Sequence, residues 1–255
     1  MWNMIRFSVL AALTICLAQS LSAQPAHPAA SCSNSSLTGN YGFTIGGTDA
    51  NGPIAIMGQI ATDGNGTIAG IATTSSNGVI TDRVDVLGLY HINPNCTGTA
   101  VITPAGQSKL NFALSLIGGG KQIELVETDK GTVESGTAYS QGIDKCSLGA
   151  VKGVYSVKST GAAVGSGPLV YGGQITLHGG GTLSGSLTGS VNGKILTHQK
   201  VSGGYKVGKP CTGGASVAVG NQKFIGWELV VVNGGNGVLF IQSNDNTLWS
   251  GMLSR

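Results

Sequence analysis

Apolar and polar positions change over in short steps along this chain. Runs rich in Val, Ile, Thr and Tyr are cut every few residues by Gly, Asn or Asp, the pattern of strands joined by tight turns. In one such run Ile123, Leu125 and Glu127 alternate with Glu124 and Val126, the period of two that sends neighbours to opposite faces of a sheet. The pattern predicts eight strands in the first half: 40–45, 54–62, 67–74, 79–92, 97–103, 109–117, 121–128 and 132–140. The long fourth strand is expected to bend or bulge at Gly88. Asp63-Gly64-Asn65-Gly66 and Ser75-Ser76-Asn77-Gly78 supply the positive φ that a hairpin turn needs. No long amphipathic helix is legible after the first twenty-odd residues.

The second half repeats the first. Gly58–Gly70, GQIATDGNGTIAG, returns as Gly173–Gly185, GQITLHGGGTLSG. Tyr155 answers Tyr41, Asn192-Gly193 answers Asn77-Gly78, Tyr205 answers Tyr90, and Cys211-Thr212-Gly213 answers Cys96-Thr97-Gly98. Trp227-x-Leu229 answers Phe112-x-Leu114, and Gly251 answers Gly136. The chain is a tandem duplication, with one repeat at 32–143 and another at 144–255. Eight sequential antiparallel strands expose two edges unless they close, so each repeat is expected to form an eight-stranded up-and-down barrel. The interior of such a barrel is filled by side chains or holds one small ligand.

Certain residues carry a resemblance. Gly39-x-Tyr41, Asp63-Gly64-x-Gly66-x-x-x-Gly70, Tyr90-x-x-Asn93-Pro94-x-Cys96-Thr97-Gly98-Thr99 and Phe112-x-Leu114 are similar to the secreted bacterial proteins of the allene oxide cyclase barrel-like group, which are calycin-type β-barrels. The second repeat departs from the pattern, with Gly208-Lys209-Pro210 in place of Asn93-Pro94-Asn95. The resemblance implies two tandem copies of that barrel. Its motifs are turn and packing residues, and no catalytic residue of the plant cyclase transfers to this chain.

Composition narrows the rest. Forty-three glycines, 10% charged residues and 5% aromatics suit an all-β protein, and a 41% hydrophobic content excludes a disordered chain. So few aromatics leave no girdles for an outer-membrane barrel. The net charge of +3 hides an asymmetry: 32–143 holds eight acids against four bases, and 146–255 holds two acids against eight bases. Oppositely charged repeats can attract each other, within one chain or between copies. The lysines are scattered without a basic run or interleaved aromatics, so nucleic acid is not an expected partner.

Residues 1–23 read as a secretory signal: Arg6, an apolar run from Phe7 to Leu17, and Leu21-Ser22-Ala23 before cleavage. The run is too short to span a bilayer. Residues 24–31 form a Pro/Ala linker containing His27. The expected address is secreted or periplasmic, an oxidising compartment. Cys32, Cys96, Cys146 and Cys211 allow three pairings. The repeat selects Cys32–Cys96 and Cys146–Cys211, one bridge in each copy. No C-x-x-C or paired-histidine spacing suggests zinc, and no cofactor or metal is expected.

Candidate chemistry is sparse. There is no nucleophile elbow and no phosphate loop, since Lys121 after Gly118–Gly120 is followed by Gln122. His91, His178 and His198 are not duplicated. Glu124 and Glu127 lie an odd number of places apart and cannot share a face. Glu228 sits in the nearly continuous apolar run Trp227–Val232, where burial would raise its pKa. The candidate ligand-binding residues are Tyr90, Phe112, Glu124, Tyr205, Trp227 and Glu228. They suit a non-catalytic exported barrel that binds a small hydrophobic molecule or serves as an envelope or matrix module. The alternative is a cofactor-free cyclase or isomerase acting on a hydrophobic substrate in the lumen.

Overall fold

The computed structural model describes residues 31–143, 146–221, 224–244 and 246–255. The expected signal segment at 1–23, His27, nearly all of the expected linker and residues 144–145 lie outside the described residues. A short 3-10 turn at Asn34–Ser36 precedes the strands. Eight strands follow: β1 Thr38–Asp49, β2 Gly52–Asp63, β3 Thr67–Ser76, β4 Val79–Ile92, β5 Thr97–Pro104, β6 Leu110–Ile117, β7 Gln122–Glu127 and β8 Val133–Ser140. Eight more make the second copy: β9 Gly153–Ala163, β10 Gly167–Leu177, β11 Thr182–Val191, β12 Lys194–Gly208, β13 Thr212–Val219, β14 Ile225–Val232, β15 Gly237–Gln242 and β16 Thr247–Ser254. Each set closes on itself as an antiparallel barrel, β1 with β8 and β9 with β16. Among the described residues no helix is long and apolar enough to cross a membrane.

The turns follow from the residues placed in them. Asp63 Oδ1 accepts the N–H groups of Asn65, Gly66 and Thr67 at 2.8, 3.1 and 3.0 Å, which closes the β2–β3 turn. Those three donors favour the ionised carboxylate and hold its pKa well below the usual range.

Left-handed φ recurs at matched places: Asn77 and Asn192, Cys96 and Cys211, Arg83 and His198. The last pair marks a bulge. The β3–β4 register slips between Ala72 and Thr74, and the β11–β12 register slips between Leu187 and Gly189. The bend in β4 therefore lies at Arg83 rather than Gly88, which stays in regular register with Ile68 and Ile102.

Both predicted disulfides form, with Cα atoms 4.9 Å apart in each. Each closes a loop spanning 64 or 65 positions, which by chain entropy stabilises the fold by about 4 kcal/mol.

Two strand faces break the in–out alternation. In β2, Ile54 and Ile56 point into the first barrel, while Ala55 and Met57 on its outer face are also buried. In β14 and β15, Val230, Val232, Leu239 and Ile241 face outward and are covered by them. This apolar seam joins the barrels. Gly42 permits the approach, since a Cβ there would sit 2.5 Å from a Val230 methyl and 2.7 Å from a Val232 methyl. A polar clamp closes the edge: Gln59 Nε2 donates to Gln141 Oε1 at 2.8 Å and to the Pro210 carbonyl at 2.6 Å, and Gln141 Nε2 donates to the Val231 carbonyl at 3.1 Å. The matching Gln174 is exposed, so the seam is not part of the duplication.

Candidate functional site

The two lumens have diverged. In the second, Trp227 stacks on Phe240 with ring centroids 4.2 Å apart, and Trp249 meets both edge-on at 5.3 and 5.8 Å. Tyr171 packs on Trp249 at 5.0 Å. These four rings are buried and occupy the middle of the barrel. In the first, smaller side chains line a cavity of about 250 Å³ bounded by Phe43, Ile56, Val86, Tyr90, Phe112 and Leu114. An apolar cavity of ~150 Å³ suffices for benzene, so this one suits a somewhat larger compact molecule.

One end of the cavity is closed. Leu37 is tucked inward behind the Asn34–Ser36 turn, and the Tyr90 hydroxyl reaches the carbonyls of Leu37 and Asn34 at 2.8 and 3.0 Å. The Cys32–Cys96 bridge ties the same end. The opposite end carries the β1–β2, β5–β6 and β7–β8 turns. Asp49, Gln107 and Thr132 line it, and Gln107 is exposed.

Just inside this mouth stand Glu127 and Glu134. Continuing the β7–β8 register one place beyond Val126↔Ser135 sets them directly opposite each other on the lumen face. Like charges opposed in this way repel. Both residues are buried, at 7% and 5% exposure. Neither oxygen of Glu127 nor Oε2 of Glu134 finds a hydrogen-bond partner of ordinary geometry. Burial, then the charge of Glu127, pushes Glu134 up to about 8. Burial also raises Glu127, against a lowering contact from Glu134. Near neutral pH the pair therefore holds a proton on Glu134, in a lumen with no lysine, arginine or histidine among its lining residues.

The duplication shows how the site arose. Position 127 answers Gln242, position 134 answers Trp249, and position 125 answers Phe240. The register agrees, pairing Phe112 with Glu127 and Trp227 with Gln242. The first barrel has carboxylates and Leu125 where the second has an amide and two large rings. Aligning the repeats at these positions would have found the pair; reading Glu124 and Glu127 within one strand did not.

The six candidate residues separate. Tyr90 and Phe112 line the first lumen. Glu124 lies outside it: the pleat turns its side chain outward, where it accepts hydrogen bonds from Gln122 Nε2 at 2.6 Å and Thr137 Oγ1 at 3.0 Å. The lumen acid on β7 is Glu127. Tyr205 and Trp227 belong to the packed second barrel, and the Tyr205 hydroxyl donates to the His178 carbonyl at 2.6 Å. Glu228 points outward into the seam, where Thr73 Oγ1 donates to its Oε2 at 2.8 Å.

No family model matches the chain, and no curated protein matches it. Among solved structures it is similar to kievitone hydratase from Nectria haematococca, at 7% identity over 86% of this chain and 89% of that one, with a TM-score of 0.30. It is also similar to a protein of unknown function of the DUF3598 family from Nostoc punctiforme, at 8% identity over 86% and 96%, with a TM-score of 0.25. Likeness at this level says nothing of activity.

Proposed function

We propose that the protein is an exported tandem barrel of the allene oxide cyclase-like kind, whose first barrel takes up a compact apolar molecule and whose second is a packed structural partner. The observation that carries this reading is the divergence at matched positions. Trp249 and Phe240 fill one lumen, and Glu134 and Leu125 leave the other open. The two disulfides fit an oxidising compartment. The test copies the second lumen into the first. In Leu125→Phe with Glu134→Trp, calorimetric binding of small hydrocarbons and alcohols by the full chain is expected to disappear while the far-UV spectrum is kept. Undiminished binding by this variant would place the ligand elsewhere.

The carboxyl pair supports a second reading, a cofactor-free isomerase or cyclase. A group titrating at about 8 delivers a proton at neutral pH, and a neighbouring carboxylate can take one back. Turnover of this kind would exchange substrate hydrogen with solvent, so products formed in heavy water should carry deuterium. Product free of deuterium would count against proton transfer by the pair.

A further inference from the structure

We propose that the first lumen selects a lipophile carrying a protonated amine, with the ammonium group held between Glu127 and Glu134. This rests on the lumen-binding reading and names the chemistry of its ligand.

Three acids, Asp49, Glu127 and Glu134, line the cavity, and no basic side chain does. Thr74, Gln107 and Thr132 are the other polar side chains lining that end, and the Asp129 charge also bears on Glu127. All the charges facing the pair are therefore negative. Both glutamates are more than nine-tenths buried, and apart from the contact between them neither oxygen of Glu127 nor Oε2 of Glu134 finds a hydrogen-bond partner of ordinary geometry. Buried polar groups are ordinarily satisfied, and an unpartnered charge in such a place is costly. A guest with several N–H donors and a positive charge satisfies these oxygens and removes the repulsion. A carboxylate guest would add another negative charge to a mouth that already carries them. A neutral hydroxyl offers one donor and leaves the charge as it was.

The apolar part of the guest follows from the depth of the cavity. Beyond the acids the wall is aliphatic and aromatic as far as Leu37 at the closed end. The occupant is thus a compact hydrocarbon body with an ammonium at one end, inserted body first. Seating the ammonium favours the ionised pair and expels the proton that Glu134 holds at neutral pH. Affinity should therefore rise with pH through about 8.

Adamantylamine, adamantanol and adamantanecarboxylate present one cage with three head groups. Isothermal titration of the full chain is expected to show the amine binding at least about tenfold more tightly than the alcohol at pH near 8, with the carboxylate weakest. The ratio should fall as the pH is lowered below about 8, where Glu134 keeps its proton. Repeating the titration in buffers of different ionisation enthalpy should reveal proton release. In Glu127→Gln with Glu134→Gln the amine's advantage should vanish while adamantanol still binds, which also shows that the variant lumen is intact. Equal binding of amine and alcohol by the native chain would overturn the amine assignment and leave the lumen reading standing. An amine preference that survives in the double variant would overturn the role of the pair. Failure of all three compounds to bind would overturn the lumen reading itself, and the inference with it.

Discussion

Thr73 of the first barrel donates its hydroxyl to Glu228 Oε2 of the second at 2.8 Å, and Asp82 Oδ1 lies 3.1 Å from the same Thr73 hydroxyl oxygen. A hydroxyl has one hydrogen and cannot serve two ionised acceptors at once. It is oriented by the bulge, where the Arg83 N–H donates to Thr73 Oγ1 at 3.1 Å. Burial, then the Asp82 contact, pushes Glu228 up to about 7, and the Arg83 charge works against that.

Glu228 thus makes seam stability depend on pH. Its folded pKa lies above the ordinary 4.5, so the native state binds more protons. Stability is then full below about 4.5 and is lost as pH rises through about 7. Glu228→Gln keeps an acceptor for Thr73 and cannot ionise. Chemical denaturation at several pH values should show the variant more stable than the native chain by about 1 kcal/mol at pH near 8 after solvent screening is allowed for. The two should converge near pH 4. Parallel pH profiles would show that Glu228 is not the titrating group.

The seam yields a second expectation, about the separability of the repeats. Each barrel closes its own hydrogen-bonded circuit, so residues 144–255 expressed alone should be β-rich and unfold cooperatively. Val230, Val232, Leu239 and Ile241 would then be uncovered, and the fragment should self-associate and melt below the full chain. In the intact protein, Gly42→Val would drive a side chain into Val230 and Val232. It should split thermal unfolding into two transitions in differential scanning calorimetry. A fragment that stays unfolded would mean that the halves fold only together.

Much of this architecture was legible in the sequence. Asp63-Gly64 and Asn77-Gly78 mark hairpin turns because only certain residues take left-handed φ cheaply. Duplication then fixed the disulfide pairing among the alternatives. The bulge was misplaced because Gly88 suggested it on composition, whereas the backbone put it at Arg83, a residue with no intrinsic preference for that conformation. The seam was half visible: Trp227–Val232 runs apolar without alternation because both its faces are buried, but nothing local names Ala55 and Met57 as its cover. The carboxyl pair was hidden for a different reason. Glu127 and Glu134 lie on neighbouring strands, and only the hairpin register sets them face to face.

The filled second lumen predicts a silent reporter. Among the described residues the tryptophans are Trp227 and Trp249, both buried among rings. Emission should be blue-shifted and should not change when ligands saturate the first lumen. Trp227→Ala should cost about 3–5 kcal/mol, as for other large core aromatics. A saturable change in emission on adding ligand would move the binding site into the second barrel.

Glu134 gives the last expectation. Its unfolded carboxyl titrates near 4.5 and its folded one at about 8, so ionising it opposes folding. The stability linked to this group is full below about 4.5 and is lost progressively up to about 8. Glu134→Gln removes that loss, relieves Glu127 of a like charge directly opposite, and keeps the size of the side chain. It should raise the melting temperature above pH 8 and leave it nearly unchanged near pH 4. The gain should be about 1–2 kcal/mol, because the nearby mouth admits solvent that screens the charges. Trp249, which takes the matching place in the second barrel, has no such titration, so the effect belongs to the first barrel alone. If Glu134→Gln destabilises the protein at high pH, the ionised carboxylate is being held by a partner, and the pair is part of a satisfied network rather than an open site.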